Sequence, residues 1–449
     1  QLIKRLNMKI LLFGAGRSAL FFVEYILHHS TTFNWKLSIA DFNFNNIDEK
    51  LKQHPNLSLV QSDINDVAKR ETLITAHDMV VSLLPAHLHI LIAKDCLTFN
   101  KPFANASYVT DELRSLEPEL LKKNLLFAGE LGLDPGIDHM SAMETIHTLQ
   151  AKGAHITSFT SYTGGLIAPE SDDNPWHYKI SWNPRNIILA GQGIAQFKKE
   201  GRVVYVPYHQ LFRNTELLNI APYGKYEGYP NRDSLHYEEL YGLGGIETLL
   251  RGTIRANGFC VAWNILIQCG YTNDTIKIDT DRFTLKEITR AFIQDEYDSL
   301  TSSKIEKLLG IKVSPKSVET LRWLRLDSNV LLNKGMLTPA QVLEYWLIDK
   351  WRLADDDKDM VIMQHKYQYT LDGIKYSMTS TLHDIGEDPH HTAMSKLVGL
   401  PLAIYVKNYL TGNIKGAGFK IPVTADFYTP ILHELSSLGV KFRHVTRKK

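Results

Sequence analysis

The first third of the chain alternates short apolar runs with stretches whose hydrophobic residues recur at helical spacing. The run KILLF at residues 9–13 predicts a buried strand. After a glycine turn, apolar residues recur every three or four positions, which predicts an amphipathic helix. The alternation continues to about residue 133 and predicts six strands separated by helices. Strands joined through helices run parallel, so the pattern predicts an α/β fold with a doubly wound sheet.

The turn after the first predicted strand reads GAGRSA and matches the GxGxxG/A fingerprint of Rossmann dinucleotide-binding domains. Gly14 permits the tight turn, Gly16 lets a pyrophosphate approach the backbone, and Ala19 keeps the helix close to the strand. The start of the helix offers unpaired N–H groups to the phosphates. The motif therefore predicts a nicotinamide dinucleotide site. The residues expected to bind the cofactor are Gly14, Gly16, Arg17, Ser18, Ala19, Asp41, Asp63, Ile64 and Leu83.

Asp41 closes the second predicted strand, where such folds place the acidic residue that binds ribose. A carboxylate at this point accepts hydrogen bonds from both ribose hydroxyls and repels a 2′-phosphate. No arginine follows in DFNFNN, so the sequence favours NAD, with NADP possible. The alternative for Asp41 is a solvated loop residue without a ligand. Asp63, at the end of the third predicted strand, is expected to face the adenine.

Length and composition narrow the class of protein. A chain of 449 residues is too long for one core, so two or three domains are expected. Because 50 basic residues balance 49 acidic ones, no nucleic-acid partner is indicated. No apolar run approaches the ~20 residues that span a bilayer, and no secretory cleavage site follows the N-terminus. Cys96, Cys260 and Cys269 lack metal-ligand spacing, so we expect free thiols, no metal and a cytoplasmic protein.

The remaining pattern predicts the domain division. A helix is expected near Pro135, with Asp134 as its candidate N-cap, followed by a strand and an irregular stretch rich in Pro, Gly and Asn. Asp372 and Gly373 predict a hairpin turn. We expect a Rossmann domain at 1–133, a mixed α/β substrate domain at 134–284 and 352–393, and a small helical insert at 285–351. Residues 394–449 are expected to pack back onto the Rossmann domain.

Six further segments occur in a specific order: SYV at 107–109, GLDPGIDHM, SYTGGLIAPESDDNP, YKISW, YPNRDS and RGTIR. With these segments the chain resembles the glutamate-forming saccharopine dehydrogenases over essentially its whole length. The resemblance implies a mixed domain that also dimerises, and hence a homodimer. It further implies an oxidoreductase of lysine metabolism acting on the CH–NH group of its donor. Such an enzyme interconverts saccharopine with L-glutamate and 2-aminoadipate 6-semialdehyde, using NAD or NADP.

The resemblance also implies roles for individual residues. Ser107, Tyr108 and Asp134 match positions that line the saccharopine site, and Asp134 and Tyr108 are the expected catalytic polar groups. For Asp134, a plain N-cap is the alternative, and Tyr108 is expected to orient substrate rather than act as a base. In one departure from the family pattern, Thr163 replaces the cysteine of SYCGG. This replacement puts any role of a thiol at that position in doubt.

Substrate carboxylates are expected to bind to Arg232, Thr253 and Arg255, which match the corresponding family positions. Saccharopine carries three carboxylates, and the planar guanidinium binds a carboxylate through two parallel hydrogen bonds. For each arginine the alternative is a surface ion pair. Arg232 lies among turn residues, and Arg255 lies close to two glycines.

Two other functions stay open at the level of sequence. A carboxynorspermidine or homospermidine synthase-type enzyme also reduces an imine, but its polyamine substrates require carboxylates rather than arginines in the pocket. A non-catalytic Rossmann protein binds the dinucleotide as a sensor or scaffold.

Overall fold

The computed structural model describes residues 7–294 and 301–449, and its contacts divide the chain into two units. The first unit comprises the chain up to His155 together with Gly386–Arg443. The second comprises Ile156–Ile385 together with His444–Lys449. Part of the predicted helical insert, residues 295–300, lies outside the described residues. The division at 155/156 differs in position from the predicted boundary at 133/134, and the three-part division of the chain stays a prediction.

The first unit opens with alternating strands and helices. Its strands are β1 (Lys9–Phe13), β2 (Lys36–Asp41), β3 (Leu57–Gln61), β4 (Met79–Ser82), β5 (Phe103–Asn105) and β6 (Leu126–Ala128). Its helices are α1 (Leu20–Phe33), α2 (Glu49–Lys52), α3 (Val67–Thr75), α4 (His89–Thr98), α5 (Asp111–Arg114), α6 (Glu117–Lys122) and α7 (Ile137–Ala151). Short 3-10 turns at Arg17–Ala19 and Ala86–Leu88 precede α1 and α4.

The second unit is richer in strands. They are β7 (His155–Ile167), β8 (Ile194–Lys199), β9 (Arg202–Pro207), β10 (Glu216–Ile220), β11 (Gly224–Pro230), β12 (Thr248–Ala256), β13 (Ile278–Asp279), β14 (Met336–Leu337), β15 (Asp359–Leu371) and β16 (Ile374–Ile385). The helices are α8 (Pro184–Ile188), α9 (Tyr208–Leu211), α10 (His236–Leu240), α11 (Phe259–Cys269), α12 (Leu285–Ile293), α13 (Ser302–Leu309), α14 (Pro315–Trp323) and α15 (Pro339–Lys350). A 3-10 turn at Pro169–Ser171 follows β7.

The C-terminal segment returns to the first unit. It forms α16 (Ala393–Leu410), β17 (Gly418–Lys420) and α17 (Ala425–Ser437) there, and the chain then ends in β18 (Arg443–Lys448), which joins the sheet of the second unit. Helix α16 packs on α1, and β17 pairs in parallel with β6. Helix α7 packs on α17, which is why the first unit extends through residue 155 rather than ending near 133.

The described strands of the first unit form a parallel sheet in the order β17-β6-β5-β4-β1-β2-β3. The order reverses between β1 and β4, and such a switch point opens a crevice at the carboxyl ends of the strands. The strands are apolar because helices cover both faces of a parallel sheet. The predicted doubly wound sheet is confirmed.

The sheet of the second unit is mixed, as predicted for the substrate domain. Its main path runs β10-β11-β12-β7-β15-β16-β18, with the β8–β9 hairpin attached to β12. Strands β7 and β12 run parallel, whereas β11 and β12 run antiparallel. Asp372 and Gly373 join β15 to β16 and both adopt positive φ, which confirms the predicted hairpin. Within the described ranges, no helix has the length and apolar character needed to cross a membrane.

Candidate active site

The glycine turn after β1 forms a tight backbone corner in the first unit. Gly14 has φ +105°, and a Cβ there would lie 2.9 Å from the carbonyl carbon of Leu83. A side chain at this position would therefore be both strained and blocked by backbone. At Gly16 an added Cβ meets nothing within 4 Å, so the space beside it is open. The Arg17–Ala19 turn and α1 begin directly after Gly16, and the first N–H groups of a helix are the donors that phosphates use.

Asp41 is held against this turn. Its Oδ2 accepts a hydrogen bond from the Ala15 N–H at 2.6 Å, and its Oδ1 accepts one from the Asn43 N–H at 3.2 Å. The Asn46 side chain donates to the Ala15 carbonyl at 3.2 Å. Asp41 is thus fixed by the glycine loop rather than being a free loop carboxylate. The structure brings together Gly14, Gly16, Arg17, Ser18, Ala19, Asp41 and Leu83 at one corner of the first unit.

The predicted adenine-side residues follow β3. Asp63 is exposed, and its Oδ1 accepts hydrogen bonds from the backbone and side-chain N–H groups of Asn65 at 2.8 and 3.0 Å. Ile64 is buried, and its carbonyl accepts a hydrogen bond from Arg70, which also pairs with Asp95. These bonds fix the loop after β3, and contact with an adenine stays a prediction.

A second group of predicted residues lies at the carboxyl ends of β5 and β6. The Tyr108 hydroxyl donates to Asp134 Oδ1 at 2.7 Å. Ser107 Oγ lies 2.9 Å from Nε2 of His89. Because carboxyl ends of parallel strands are where such sheets bind ligands, these side chains stand at the expected place for a reacting group.

Asp134 does not cap the helix that follows it. Helix α7 begins at Ile137, its N-cap is Gly136, and the Gly136 N–H donates to Asp138 at 2.6 Å. The expectation of an Asp134 N-cap is therefore wrong: the carboxylate that takes up an N–H at this end belongs to Asp138. The N-cap alternative considered for Asp134 therefore does not hold, and its Oδ1 accepts the Tyr108 hydroxyl instead.

His89 was not singled out in the sequence, and only the fold reveals it. Its Nδ1 lies 2.9 Å from Ser82 Oγ at the end of β4, and its Nε2 lies 2.9 Å from Ser107 Oγ. Burial, reinforced by His87, lowers the pKa of His89 to about 4. The ring is therefore neutral near pH 7, with one nitrogen donating and the other accepting. Nothing in the spacing of LPAHLHIL distinguishes His89 from the nearby His87.

The partners of His139 and His147 on α7 cannot be identified from helical spacing. In the fold, His139 Nε2 lies 2.8 Å from Glu130 Oε2, and His147 Nδ1 lies 2.8 Å from the Tyr428 hydroxyl. Glu130 follows β6 by two residues, and this strand-end position is the one signal that could have identified it.

The predicted carboxylate-binding residues lie in the second unit. Thr253 and Arg255 are two residues apart on β12 and therefore share one face of the sheet. Thr253 Oγ1 accepts a hydrogen bond from Asn231 at 3.0 Å. The neighbouring Arg232 adopts φ +46°, is exposed, and accepts a hydrogen bond from Gln196 at its carbonyl. Because water screens an exposed cation, Arg232 binds an anion more weakly than a buried arginine does.

Arg255 is 4% exposed and makes no ion pair with any residue in the described ranges. Its Nη1 donates to the Ile254 carbonyl at 3.0 Å, its Nε has no hydrogen-bond partner, and its guanidinium lies over the rings of Tyr178 and Phe259. Glu227 lies opposite on β11, but its oxygens accept hydrogen bonds from backbone N–H groups at the start of α11. Burying a cation without an anion is costly, which points to an anionic ligand.

Thr163 lies directly across from Thr253 in the parallel pair of β7 and β12. It is 7% exposed, and its hydroxyl has no hydrogen-bond partner among the described residues. Thr163 therefore places an unsatisfied hydroxyl on the strand beside Thr253.

Comparisons with known proteins give one family. A model described as the saccharopine dehydrogenase NADP binding domain matches residues 10–127, and one described as the saccharopine dehydrogenase C-terminal domain matches residues 132–440. The NADP(+), L-glutamate-forming saccharopine dehydrogenase of Schizosaccharomyces pombe is 30% identical, over 96% of this chain and 97% of that protein. The mitochondrial alpha-aminoadipic semialdehyde synthase of Mus musculus is 32% identical, over 97% of this chain and 47% of the mouse protein.

A solved structure agrees with this result. The apo histidine-tagged saccharopine dehydrogenase (L-Glu forming) from Saccharomyces cerevisiae has a TM-score of 0.86 and 28% sequence identity, covering 98% of this chain and 100% of that one. The chain therefore spans nearly all of the yeast protein but about half of the mouse protein.

Proposed function

Because the chain belongs to the saccharopine dehydrogenase family of oxidoreductases, we propose that it interconverts saccharopine and water with L-glutamate and 2-aminoadipate 6-semialdehyde. A nicotinamide dinucleotide is the cofactor of this family. The reaction belongs to lysine metabolism. The observation that carries the proposal is the buried guanidinium of Arg255, which forms no ion pair with any of the described residues.

Arg255 requires an anion, and saccharopine has three carboxylates. A carboxylate that reaches the guanidinium pairs with it in a medium of low dielectric constant, where a charge-assisted hydrogen bond is strong. The Nε that lacks a partner is one arm of the two-pronged geometry that binds a carboxylate. Thr253 lies on the same face of β12 and would contact the substrate beside Arg255. Arg232 would hold a further carboxylate at an exposed position.

In the first unit, Tyr108 and Asp134 would act on the secondary amine. The hydrogen bond from the Tyr108 hydroxyl orients the Asp134 carboxylate. A charged carboxylate binds the protonated amine of saccharopine and can take up its proton before oxidation. Ser107 would orient the substrate through a hydroxyl that neutral His89 holds in place.

The turn from Gly14 to Ala19 together with Asp41, here named the glycine corner, fits a dinucleotide. The open space at Gly16 would admit a pyrophosphate, and the backbone at Gly14 is closed to a side chain. Asp41, fixed against this turn, would accept hydrogen bonds from the ribose hydroxyls. When bound, the nicotinamide would supply the hydride acceptor for the oxidation at the CH–NH carbon of saccharopine. Gly14, Gly16, Arg17, Ser18 and Ala19 would hold the phosphates, and Asp41, Asp63, Ile64 and Leu83 the rest of the dinucleotide.

We propose that NAD is preferred, although the family domain and the fungal relatives carry NADP in their names. The similarity to these proteins favours NADP as the cofactor. In this chain, however, the Asp41 carboxylate is fixed at the end of β2 by Ala15 and Asn43. A 2′-phosphate beside it would meet a negative charge, and DFNFNN supplies no cation to offset the repulsion.

The remaining assignments follow from the family and the thiols. Cys96, Cys260 and Cys269 are free, and burial raises the pKa of each, so they are unreactive thiols of the kind found in reducing compartments. We propose a cytoplasmic protein, whereas the mammalian relatives are named as mitochondrial. We expect a homodimer, which sedimentation equilibrium of the purified chain tests.

The experiment that tests the function follows NADH formation by absorbance with saccharopine as substrate. Carboxynorspermidine and other polyamine-derived amines are tested as alternative substrates in the same assay. Activity with saccharopine and none with the polyamine series supports the proposal. Activity with a polyamine-derived amine alone would transfer the assignment to the polyamine synthase type, and tight NADH binding without turnover of either would leave a non-catalytic dinucleotide binder.

A further inference from the structure

Glu130 forms one hydrogen bond with the residue before Tyr108 and one with the residue after it. The backbone N–H of Glu130 donates to the Ser107 carbonyl at 3.1 Å. The Glu130 side chain turns back, and its Oε1 accepts the Val109 N–H at 3.0 Å. Both segments leave the carboxyl ends of neighbouring parallel strands, β5 and β6.

These two bonds fix the backbone dihedral angles of Tyr108. The Ser107 carbonyl belongs to the planar peptide unit that precedes the Tyr108 Cα, and the Val109 N–H belongs to the unit that follows it. Holding both planes fixes φ and ψ, and with them the direction in which the Tyr108 side chain leaves the backbone. Glu130 therefore determines where the Tyr108 side chain starts from, and the hydroxyl of that side chain donates to Asp134 at 2.7 Å.

The arrangement is costly for the fold. Glu130 is 3% exposed, and it adopts φ +57°, a left-handed conformation that residues other than glycine rarely take. A buried carboxylate needs compensation, and Nε2 of the fully buried His139 lies 2.8 Å from Glu130 Oε2. Strained backbone of this kind persists only where the surroundings determine it, and it concentrates at functional sites.

We propose that Glu130, whose carboxylate lies beside His139, is a positioning residue that directs Tyr108 towards Asp134. The inference rests on the proposed function, in which Tyr108 and Asp134 hold the secondary amine of saccharopine. Glu130 acts on the substrate through Tyr108. Losing its side-chain acceptor frees the peptide unit after Tyr108 and lets the ring leave its place.

The test is a double-variant cycle with Glu130→Met and Tyr108→Phe. Methionine has a similar length and fills the buried space, but it offers the Val109 N–H no oxygen. We expect Glu130→Met to lower kcat/KM for saccharopine about ten- to a hundredfold, the scale for a reacting group displaced by about 1 Å. The Kd for NADH stays unchanged, because the glycine corner does not involve Glu130. Glu130→Gln restores most of the activity, since its amide oxygen can accept the Val109 N–H.

The cycle separates positioning from a general effect on the fold. If Glu130 works through Tyr108, the double variant has the activity of Tyr108→Phe alone, within about twofold. Multiplying effects, or wild-type activity in Glu130→Met, would overturn the inference. Normal turnover of saccharopine by Tyr108→Phe would refute the proposed role of Tyr108, and this inference with it. Glu119→Gln, which removes an exposed carboxylate on α6 paired with Lys122, is the control and keeps wild-type activity.

If Glu130→Met does not fold, Glu130→Asp replaces it in the cycle. Its carboxylate ends one methylene short of Val109, so the same loss and the same lack of multiplication with Tyr108→Phe are expected. If the losses of kcat/KM from Glu130→Asp and Tyr108→Phe multiplied in the double variant, the inference would equally be overturned.

Discussion

Replacing Arg255 by methionine is expected to stabilise the protein while it disables substrate recognition. The guanidinium is 4% exposed, and in the described residues it has no carboxylate partner. Methionine fills a similar volume and can pack against Tyr178 and Phe259, which already contact the arginine. The variant thus exchanges a buried cation for an apolar side chain.

The expected gain in stability follows from the cost of burying an ion. Replacing buried ionic groups by well-packed apolar residues raises the free energy of unfolding by up to about 4 kcal/mol, and for Arg255→Met we expect about 1 kcal/mol or more. Arg185→Met is the matched control in the same unit. Arg185 pairs with Asp274 and with Glu344, and its side chain is 27% exposed, so its removal should lower stability, by about 1 kcal/mol.

The expected loss of activity follows from the missing guanidinium, because the substrate carboxylate then lacks its cationic partner. Truncating one partner of a buried charge pair costs about 2–5 kcal/mol. At ~1.4 kcal/mol per factor of ten, kcat/KM for saccharopine should fall between about thirtyfold and a few thousandfold. Arg255→Lys should recover part of the loss, because an ammonium keeps the charge without the two-pronged geometry.

Urea denaturation measures the first effect, and NADH formation with saccharopine measures the second. The Kd for NADH serves as the internal control, because Arg255 belongs to the second unit and the glycine corner to the first. A folded Arg255→Met protein with normal turnover of saccharopine would refute the assignment of the anion. A large loss of stability would show that Arg255 is compensated within the protein and needs no ligand.

Three other variants test separate parts of the site. Asp41→Ser removes the carboxylate that repels a 2′-phosphate, so the ratio of kcat/KM for NAD to that for NADP should fall; a wild-type enzyme that uses NADP tenfold better would refute the proposed preference. Burial lowers the pKa of His89 from its ordinary 6.5 to about 4. Between these two pH values the unfolded chain binds a proton at this residue and the folded protein does not, so the free energy of unfolding drops by about 3 kcal/mol as the pH falls from 6.5 to 4. His89→Gln should remove this contribution from urea midpoints measured across pH 4–7, and an unchanged slope would contradict it. Thr163→Val removes a buried hydroxyl without a partner and should raise the free energy of unfolding by about 1 kcal/mol, whereas a loss in urea denaturation would show that the hydroxyl is satisfied.

The sequence by itself determined the features that depend on neighbouring residues. The run KILLF, the glycines of GAGRSA and the acidic end of the next strand lie close together in the chain, so their periodicity and spacing predicted the parallel sheet and its cofactor corner. The Asp372–Gly373 turn was predictable for the same reason, because two successive residues with positive φ suit few residue types.

Only the tertiary structure decided which polar groups have partners. Asp134 resembles an N-cap in the sequence, but the carboxylate of Asp138 takes up that N–H instead. Arg232 and Arg255 look alike in the sequence, yet one is exposed and the other is buried, because β12 lies inside its sheet and the turn at Arg232 lies at the surface.

The bonds that hold Tyr108 likewise come from distant parts of the chain. Glu130 and His139 meet because β6 and α7 return to the same end of the sheet as β5. Burial and hydrogen bonding depend on atoms brought together from far along the chain, and local periodicity carries no record of them. The sequence therefore identifies the class of chemistry, and the packing of the strands selects the side chains that can carry it out.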